Sequence, residues 1–158
     1  MADFAQSSVD LEADALKDNY LIFSIGSESY GIEVRHVTEI VGIQHITTVP
    51  ELPMYIKGLI NLRGSVIPVM DVRLRFGKEP KEYTDRTCII VVNVKSMSFG
   101  LIVDAVSEVL SIPEEDIVDP PMSEMNNGFV KGIGKVNNGV KLLIDCKKML
   151  AADEILSA

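Results

Sequence analysis

"YIKGLINLRGSVIPVMDVRLRF", Tyr55 to Phe76, decides the fold because the chain contains it twice. Its counterpart is "FVKGIGKVNNGVKLLIDCKKML", Phe129 to Leu150, shifted by 74 positions. Lys57-Gly58 falls on Lys131-Gly132, Leu62 on Val136, Val66 on Val140 and Asp71 on Asp145. Each copy reads as two short runs of β-formers around a turn, Arg63-Gly64-Ser65 in one and Asn137-Asn138-Gly139 in the other. Asp71 and Asp145 each precede a short amphipathic run and read as helix N-caps, for helices over Asp71 to Phe76 and Asp145 to Leu150.

Working outward, "YLIFSIGSESYGIEVRHVTEIVGI", Tyr20 to Ile43, matches "IIVVNVKSMSFGLIVDAVSEVLSI", Ile89 to Ile112, at a shift of 69 without a gap. Tyr30-Gly31 lies on Phe99-Gly100, Glu39 on Glu108 and Ile40 on Val109. Two matches in the same order mean two copies of one unit, in all 20–150, with subdomains at approximately 20–80 and 87–150. The repeat locates equivalent strands but leaves open which barrel each strand joins. Short Val- and Ile-rich segments between turn residues are the pattern of small antiparallel β-barrels. One further short helix is expected near Arg35 to Val41 or in its copy. "FGKEPKEYTDR", Phe76 to Arg86, reads as a surface connector, and "EDIVDPPMSEMNNG" as an irregular loop. Residues 1–19 form an acidic tail or marginal helix, and 151–158 a C-terminal tail.

The composition is that of a globular protein, 47% hydrophobic and 24% charged, with a formal net charge of -8. That charge argues against nucleic acid or an anionic membrane as partner. The start of the chain is acidic at Asp3 and Asp10 to Asp14, unlike a cleaved signal, and no run of about 20 apolar residues is present, the length that spans a bilayer. A cytoplasmic chain is expected. Cys88 and Cys146 lie in apolar contexts without CxxC spacing and read as two buried thiols rather than a disulfide or metal pair.

Motifs for chemistry are sparse. His36 and His45 have no cysteine or carboxylate at ligand spacing, and no GxSxG supplies an activated serine. "KGIGK" at Lys131 has two glycines but no helix N-terminus after it to receive a phosphate. Glu39, Asp71 and Asp104 could converge as acid–base carboxylates, which keeps a small β-barrel hydrolase as the rival reading, though solvated charges and caps are the default. No cofactor is implied. The methionines, among them Met54, Met70, Met97, Met122, Met125 and Met149, are scattered and read mostly as core or loop fillers.

Divergence between the copies serves as a filter. Val66/Val140 and Met70/Ile144 agree and are expected to face a barrel interior. Ile67 against Lys141, and Glu33 against Ile102, suggest outward faces that specialised in different directions, with the groove between barrels as the natural docking place. The sharpest divergence is Arg63, whose counterpart is Asn137 in an ordinary turn. Its guanidinium suits a carboxylate such as Glu39, or it snorkels to solvent.

"YGIEVRHVTEIVG", "PELPMYIKGLINLRGSVIPVMDVRLRF" and "FGLIVDAVSEVLSI" resemble the CheW family of bacterial chemotaxis coupling proteins, from about Tyr20 to Leu150. The resemblance implies an all-β fold of two intertwined five-stranded barrels of the Src-homology-3 kind with short helices. It further implies a non-catalytic adaptor that links the cytoplasmic hairpin tips of methyl-accepting chemotaxis receptors to the histidine kinase CheA, recruited to membrane receptor arrays. The family's partner-facing positions fall on Val37, Glu39, Gly58 and Arg63 in the first copy, and on Gly100, Val106 and Val109 in the second.

Overall fold

A computed structural model describes residues 17–122, 128–137 and 139–151. The repeat is visible in the order of elements. The first copy runs β1 (Asn19–Ile25), β2 (Glu28–Glu33), a 3₁₀ turn (Val34–His36), β3 (Val37–Gly42), β4 (Ile56–Leu62), β5 (Ser65–Asp71) and α1 (Val72–Arg75). The second runs β6 (Cys88–Val94), β7 (Met97–Val103), β8 (Ala105–Ser111), a 3₁₀ turn (Glu114–Asp116), β9 (Ile117–Val118), β10 (Val130–Val136), β11 (Gly139–Ile144) and α2 (Cys146–Met149). Both short helices start where the aspartates place them. The Asp71 carboxylate accepts from the Leu74 amide at 3.3 Å and that of Asp145 from the Lys148 amide at 3.0 Å, satisfying a donor that the first helical turn leaves free.

The copies do not fold side by side; they trade hairpins. One sheet has the order β8-β1-β2-β11-β10-β9 and the other β3-β6-β7-β5-β4. Hairpin β1–β2 therefore joins strands of the second copy, and hairpin β6–β7 joins strands of the first. The seams are parallel pairings, Tyr30 opposite Leu142 in one sheet and Gly100 opposite Val69 in the other. Each sheet then curls closed in the same way. Val118 of β9 pairs with Ile133 of β10, and at the repeat-equivalent place Thr47 pairs with Leu59, with N···O distances of 2.8 and 2.9 Å. Two sheets of six and five strands, rather than five and five, differ only by the length of this closing bridge.

Exchange divides the apolar residues among three cores. Ile60, Ile67, Val69, Ile89, Val91 and Ile102 fill the five-stranded barrel, and Tyr20, Ile22, Ile112 and Leu143 fill the six-stranded one. The largest core lies between the sheets and draws on both, including Phe23, Tyr30, Met70, Val72, Phe76, Leu101, Phe129, Ile144 and Met149. Its aromatic rings form a chain, Phe23 to Tyr30 at 5.7 Å, Tyr30 to Phe76 at 5.0 Å and Phe76 to Phe129 at 6.3 Å between centroids. Near its edge the buried Arg75 guanidinium lies over Tyr55 (4.3 Å) and Phe129 (4.6 Å), themselves repeat equivalents, and its Nε donates to the Met149 carbonyl at 3.0 Å.

Four expectations are corrected. Val37–Gly42 is a strand, so the helix expected near Arg35 to Val41 shrinks to one 3₁₀ turn. The β-branched residues there pair with β6, which offers a full ladder instead of an isolated helical turn. Val66 and Val140 are exposed, at 66% and 53%, while Met70 and Ile144 on the same strands are buried in the inter-sheet core. Ile67 and Ile102, read as outward, are barrel interior. The error is one of sides: barrels joined by exchange bury both faces of a strand, so apolar agreement does not tell inside from between. Cys88 is half-buried rather than buried, and Cys146 is buried, both as free thiols. Met125 and residues 1–16 and 152–158 lie outside the described residues, whereas 77–86 is an irregular, largely exposed connector; Phe76, expected to open it, is buried in the inter-sheet core, and Tyr83 reaches back to donate to Asp71 at 2.9 Å.

Because one core serves both barrels, Phe23→Ala, at a fully buried position, is expected to cost about 3–5 kcal/mol in urea denaturation. Spectroscopic probes placed in each barrel should report one shared transition; two separated transitions would contradict the shared core. Alkaline pH is expected to destabilise. Burial and then the Asp145 charge push the Cys146 thiol up to about 12, and burial and then Asp71 push the Tyr83 phenol well above its ordinary 10.0. The unfolded chain loses these protons first, so the stability they carry is complete below about pH 9 and is lost as pH rises from there. Urea midpoints at about pH 8 and about pH 11 should fall in that order.

Candidate functional site

Arg63 and Gly64 are the two central residues of the β4–β5 hairpin, with φ of +52° and +90°. A two-residue loop of this type favours Asn-Gly, because both residues must be left-handed. Asn137 meets that demand at φ +47° in the equivalent turn; Arg63 meets it against its steric preference, at a cost of about 1–2 kcal/mol. The Arg63 guanidinium crosses to the Glu39 carboxylate on β3, with side chains 69% and 29% exposed. An ion pair this open returns about 0.2–1 kcal/mol. The pair does not offset the strain, so Arg63 is not there for stability. Of the two readings left open by the sequence, pairing with Glu39 holds.

A bulge orients the residues on either side of this pair. In β3 the register slips between Val37 and Glu39, where Thr38 donates its hydroxyl to the Val91 carbonyl at 3.1 Å. The extra residue re-phases the strand. Val37 packs on the inter-sheet core, whereas Val41 packs on the barrel interior. The same device recurs in β8. Register slips at Ser107, whose hydroxyl donates to the Ile22 carbonyl at 3.3 Å, Val106 packs on the inter-sheet core and Leu110 on the other barrel's interior. Val109 stands 55% exposed beside Leu21, and its equivalent Ile40 stands 43% exposed beside Ile90. Among the described residues β3 and β8 are the first strands of their sheets, paired on one side only. Each thus offers a free edge, a half-buried valine and an exposed apolar residue.

The two glycines act from beneath. Gly58 is buried at φ +147°, and a Cβ there would lie 2.1 Å from the Thr47 carbonyl oxygen. The close approach it permits is to the chain's own closing bridge. Gly100 is buried too, and a Cβ would meet Val69 and Ile89 at 2.7 and 2.8 Å. Through strand exchange Gly100 also belongs with Val37, Glu39, Gly58 and Arg63 in the five-stranded sheet, while Val106 and Val109 occupy the other. Ile40 was not singled out as a site residue from sequence; its repeat equivalence to Val109 was the signal that would have found it.

The three carboxylates considered for acid–base work do not converge. Glu39 holds Arg63. Asp71 caps α1 and accepts from Tyr83, and Asp104 accepts from the Gly26 amide at 2.7 Å and from Arg73, with Lys81 at 3.8 Å. Among the described residues no group of His, Cys, Asp or Glu is placed to hold a metal ion, and no helix is long and apolar enough to cross a membrane.

Interlocked barrels with apolar edge strands and an exposed ion pair have the make-up of a protein-contact scaffold. Residues 19–154 match the CheW-like domain family. The chain is 33% identical to the chemotaxis protein CheW of Klebsiella aerogenes, over 92% of this chain and 89% of that one, and 32% identical to that of Bacillus subtilis, over 89% and 92%. The crystal structure of the scaffolding protein TtCheW from Thermoanaerobacter tengcongensis superposes with a TM-score of 0.80 at 36% identity, covering 87% of this chain and 94% of that one. The chain belongs to the CheW family of chemotaxis coupling proteins, which are non-catalytic scaffolds.

Replacing Arg63 by the residue of the equivalent turn tests the strain argument. Arg63→Asn is expected to leave the thermal midpoint unchanged or raise it, by up to about 1 kcal/mol in stability, since the left-handed site is relieved while a weak pair is lost. A clear loss of stability in thermal denaturation would give the arginine a structural role instead.

Proposed function

We propose that the protein couples the cytoplasmic hairpin tips of methyl-accepting chemotaxis receptors to the histidine kinase CheA, in the cytoplasm and recruited to membrane receptor arrays. The observation that carries this reading is Arg63, a residue whose conformation costs more than its ion pair returns. Such a position is explained by a partner that reads the guanidinium and the Glu39 carboxylate together. Val37 and Ile40 on β3, with Val106 and Val109 on β8, supply apolar contact on two edges set in fixed relation by the shared core. Gly58 and Gly100 act indirectly, the first by seating Thr47 and the second by letting β5 and β6 pack on β7. An adaptor of this kind transmits by contacting two states of a receptor differently and biasing the kinase population, without chemistry of its own.

The test is reconstitution with CheA and receptor-containing membranes, following kinase autophosphorylation. Addition of the protein is expected to raise kinase activity and restore its control by receptor ligand. Arg63→Asn and Val109→Glu, both at exposed positions, are expected to reduce activation at least severalfold while the proteins remain folded. Absence of any enhancement, with both partners shown competent using another coupling protein, would overturn the reading.

A further inference from the structure

The two barrels end differently at one mouth. In the five-stranded barrel this end is sealed by Ile89 and Ile102, at 0% and 2% exposure. Their repeat equivalents in the other barrel are Tyr20 and Glu33, and there a cleft of about 520 Å³ opens. Its floor is Tyr20, Leu143, Gly132 and Ile117. Tyr20 is 7% exposed, yet its hydroxyl, which faces the cleft, makes no hydrogen bond among the described residues. The fold does not require this arrangement, since its own second copy does without it.

Charges at the rim indicate the occupant. Glu33 is bound on both sides, by Arg35 at 2.6 Å and by Lys131. Burial alone would raise its carboxyl, but the Lys131 hydrogen bond and charge, with Arg35, hold it below the usual range. Both of these cations are therefore committed. Asp18 and Glu114 also line the cleft without an ion pair among the described residues, and Lys17 is the one cation of the lining not held at Glu33. At the Tyr20 phenol, burial and then three carboxylates, Glu33, Asp18 and Glu114, outweigh Arg35 and push the group above its ordinary range. The cleft floor is thus a place for a hydrogen-bond donor carrying positive charge, with apolar walls for the stem behind it.

We propose that the open mouth of the six-stranded barrel binds a cationic side chain, lysine or arginine, presented by an exposed segment of a partner protein. The aliphatic stem lies along Ile117 and Leu143, and the head meets the Tyr20 hydroxyl and the carboxylates of Asp18 and Glu114. The site lies beside β8, whose Leu110 pairs with Tyr20, and the proposal does not depend on the kinase and receptor reading.

The probe is acetyl-Gly-Arg-Gly-amide titrated into the full-length protein and followed by amide NMR. Saturable shifts are expected at Tyr20, Glu33 and Gly132 and not at Gly58 or Ile102, the equivalent mouth. Asp18→Asn combined with Glu114→Gln is expected to weaken binding about fivefold, and Tyr20→Phe about twofold. Asparagine tolerates the φ of +69° at Asp18, and an unchanged amide spectrum elsewhere verifies folding. Three results would each overturn the proposal: no saturable shift, equal or tighter binding of acetyl-Gly-Glu-Gly-amide, or binding seen only after residues 2–16 are removed. The last would assign the cleft to the chain's own N-terminus.

Discussion

Neither half of this chain can bury its own strands. Hairpin β1–β2 has apolar residues on both faces: Ile22 points into one barrel while Phe23 and Tyr30 point into the core between barrels. A strand apolar on both faces needs cover on both. Exchange supplies it, since the hairpin completes the sheet of the other copy and its second face meets the exchanged hairpin β6–β7. From this follow the ring chain from Phe23 to Phe129 and the seat of Arg75 between Tyr55 and Phe129. A guanidinium so placed is held by two ring faces and a carbonyl, and its counterpart in the repeat, Met149, is simply core. The two barrels cannot shift against each other without opening the largest core of the molecule.

Rigidity between the barrels is what a coupling scaffold has to supply. The edges of β3 and β8 carry equivalent bulges, equivalent half-buried valines and equivalent exposed apolar residues, one set on each sheet. Duplication built the scaffold; departures from duplication gave each barrel its own surface. Arg63 against Asn137 alters a hairpin tip at the expense of local strain, and Glu33 against Ile102 opens a cleft where the other barrel is sealed. In both places one copy preserves the cheaper structural solution, so the costlier residue has to be explained by something other than folding.

Much of this was legible from the chain alone. The shifts of 69 and 74 located the equivalent strands, the aspartates marked both helix starts, and Arg63 stood out as an addition to a turn. The misread strand faces have one source. Val66, Val140, Ile67 and Ile102 are sorted by agreement or divergence between the copies, which separates inside from outside only for a strand with one buried face. Gly58 and Gly100 stand at partner-facing positions by family resemblance, which does not say what each glycine's own backbone approaches. For Gly58 it is the Thr47 carbonyl, which reaches it across the closing of a barrel.

The sequence by itself determined that there are two copies of one β unit, where the repeated strands, turns and caps fall apart from β3 and β9, and which residues exceed what the unit requires. These are local matters, decided by residue type and by spacing along the chain. Tertiary structure alone decided which copy completes which barrel, which apolar face lies inside and which between, and that Arg63 crosses to Glu39 in a strained turn. Those depend on pairings between residues far apart in sequence, such as Tyr30 with Leu142 and Val69 with Gly100. Their free energy comes from burying two faces at once, a quantity no single strand carries.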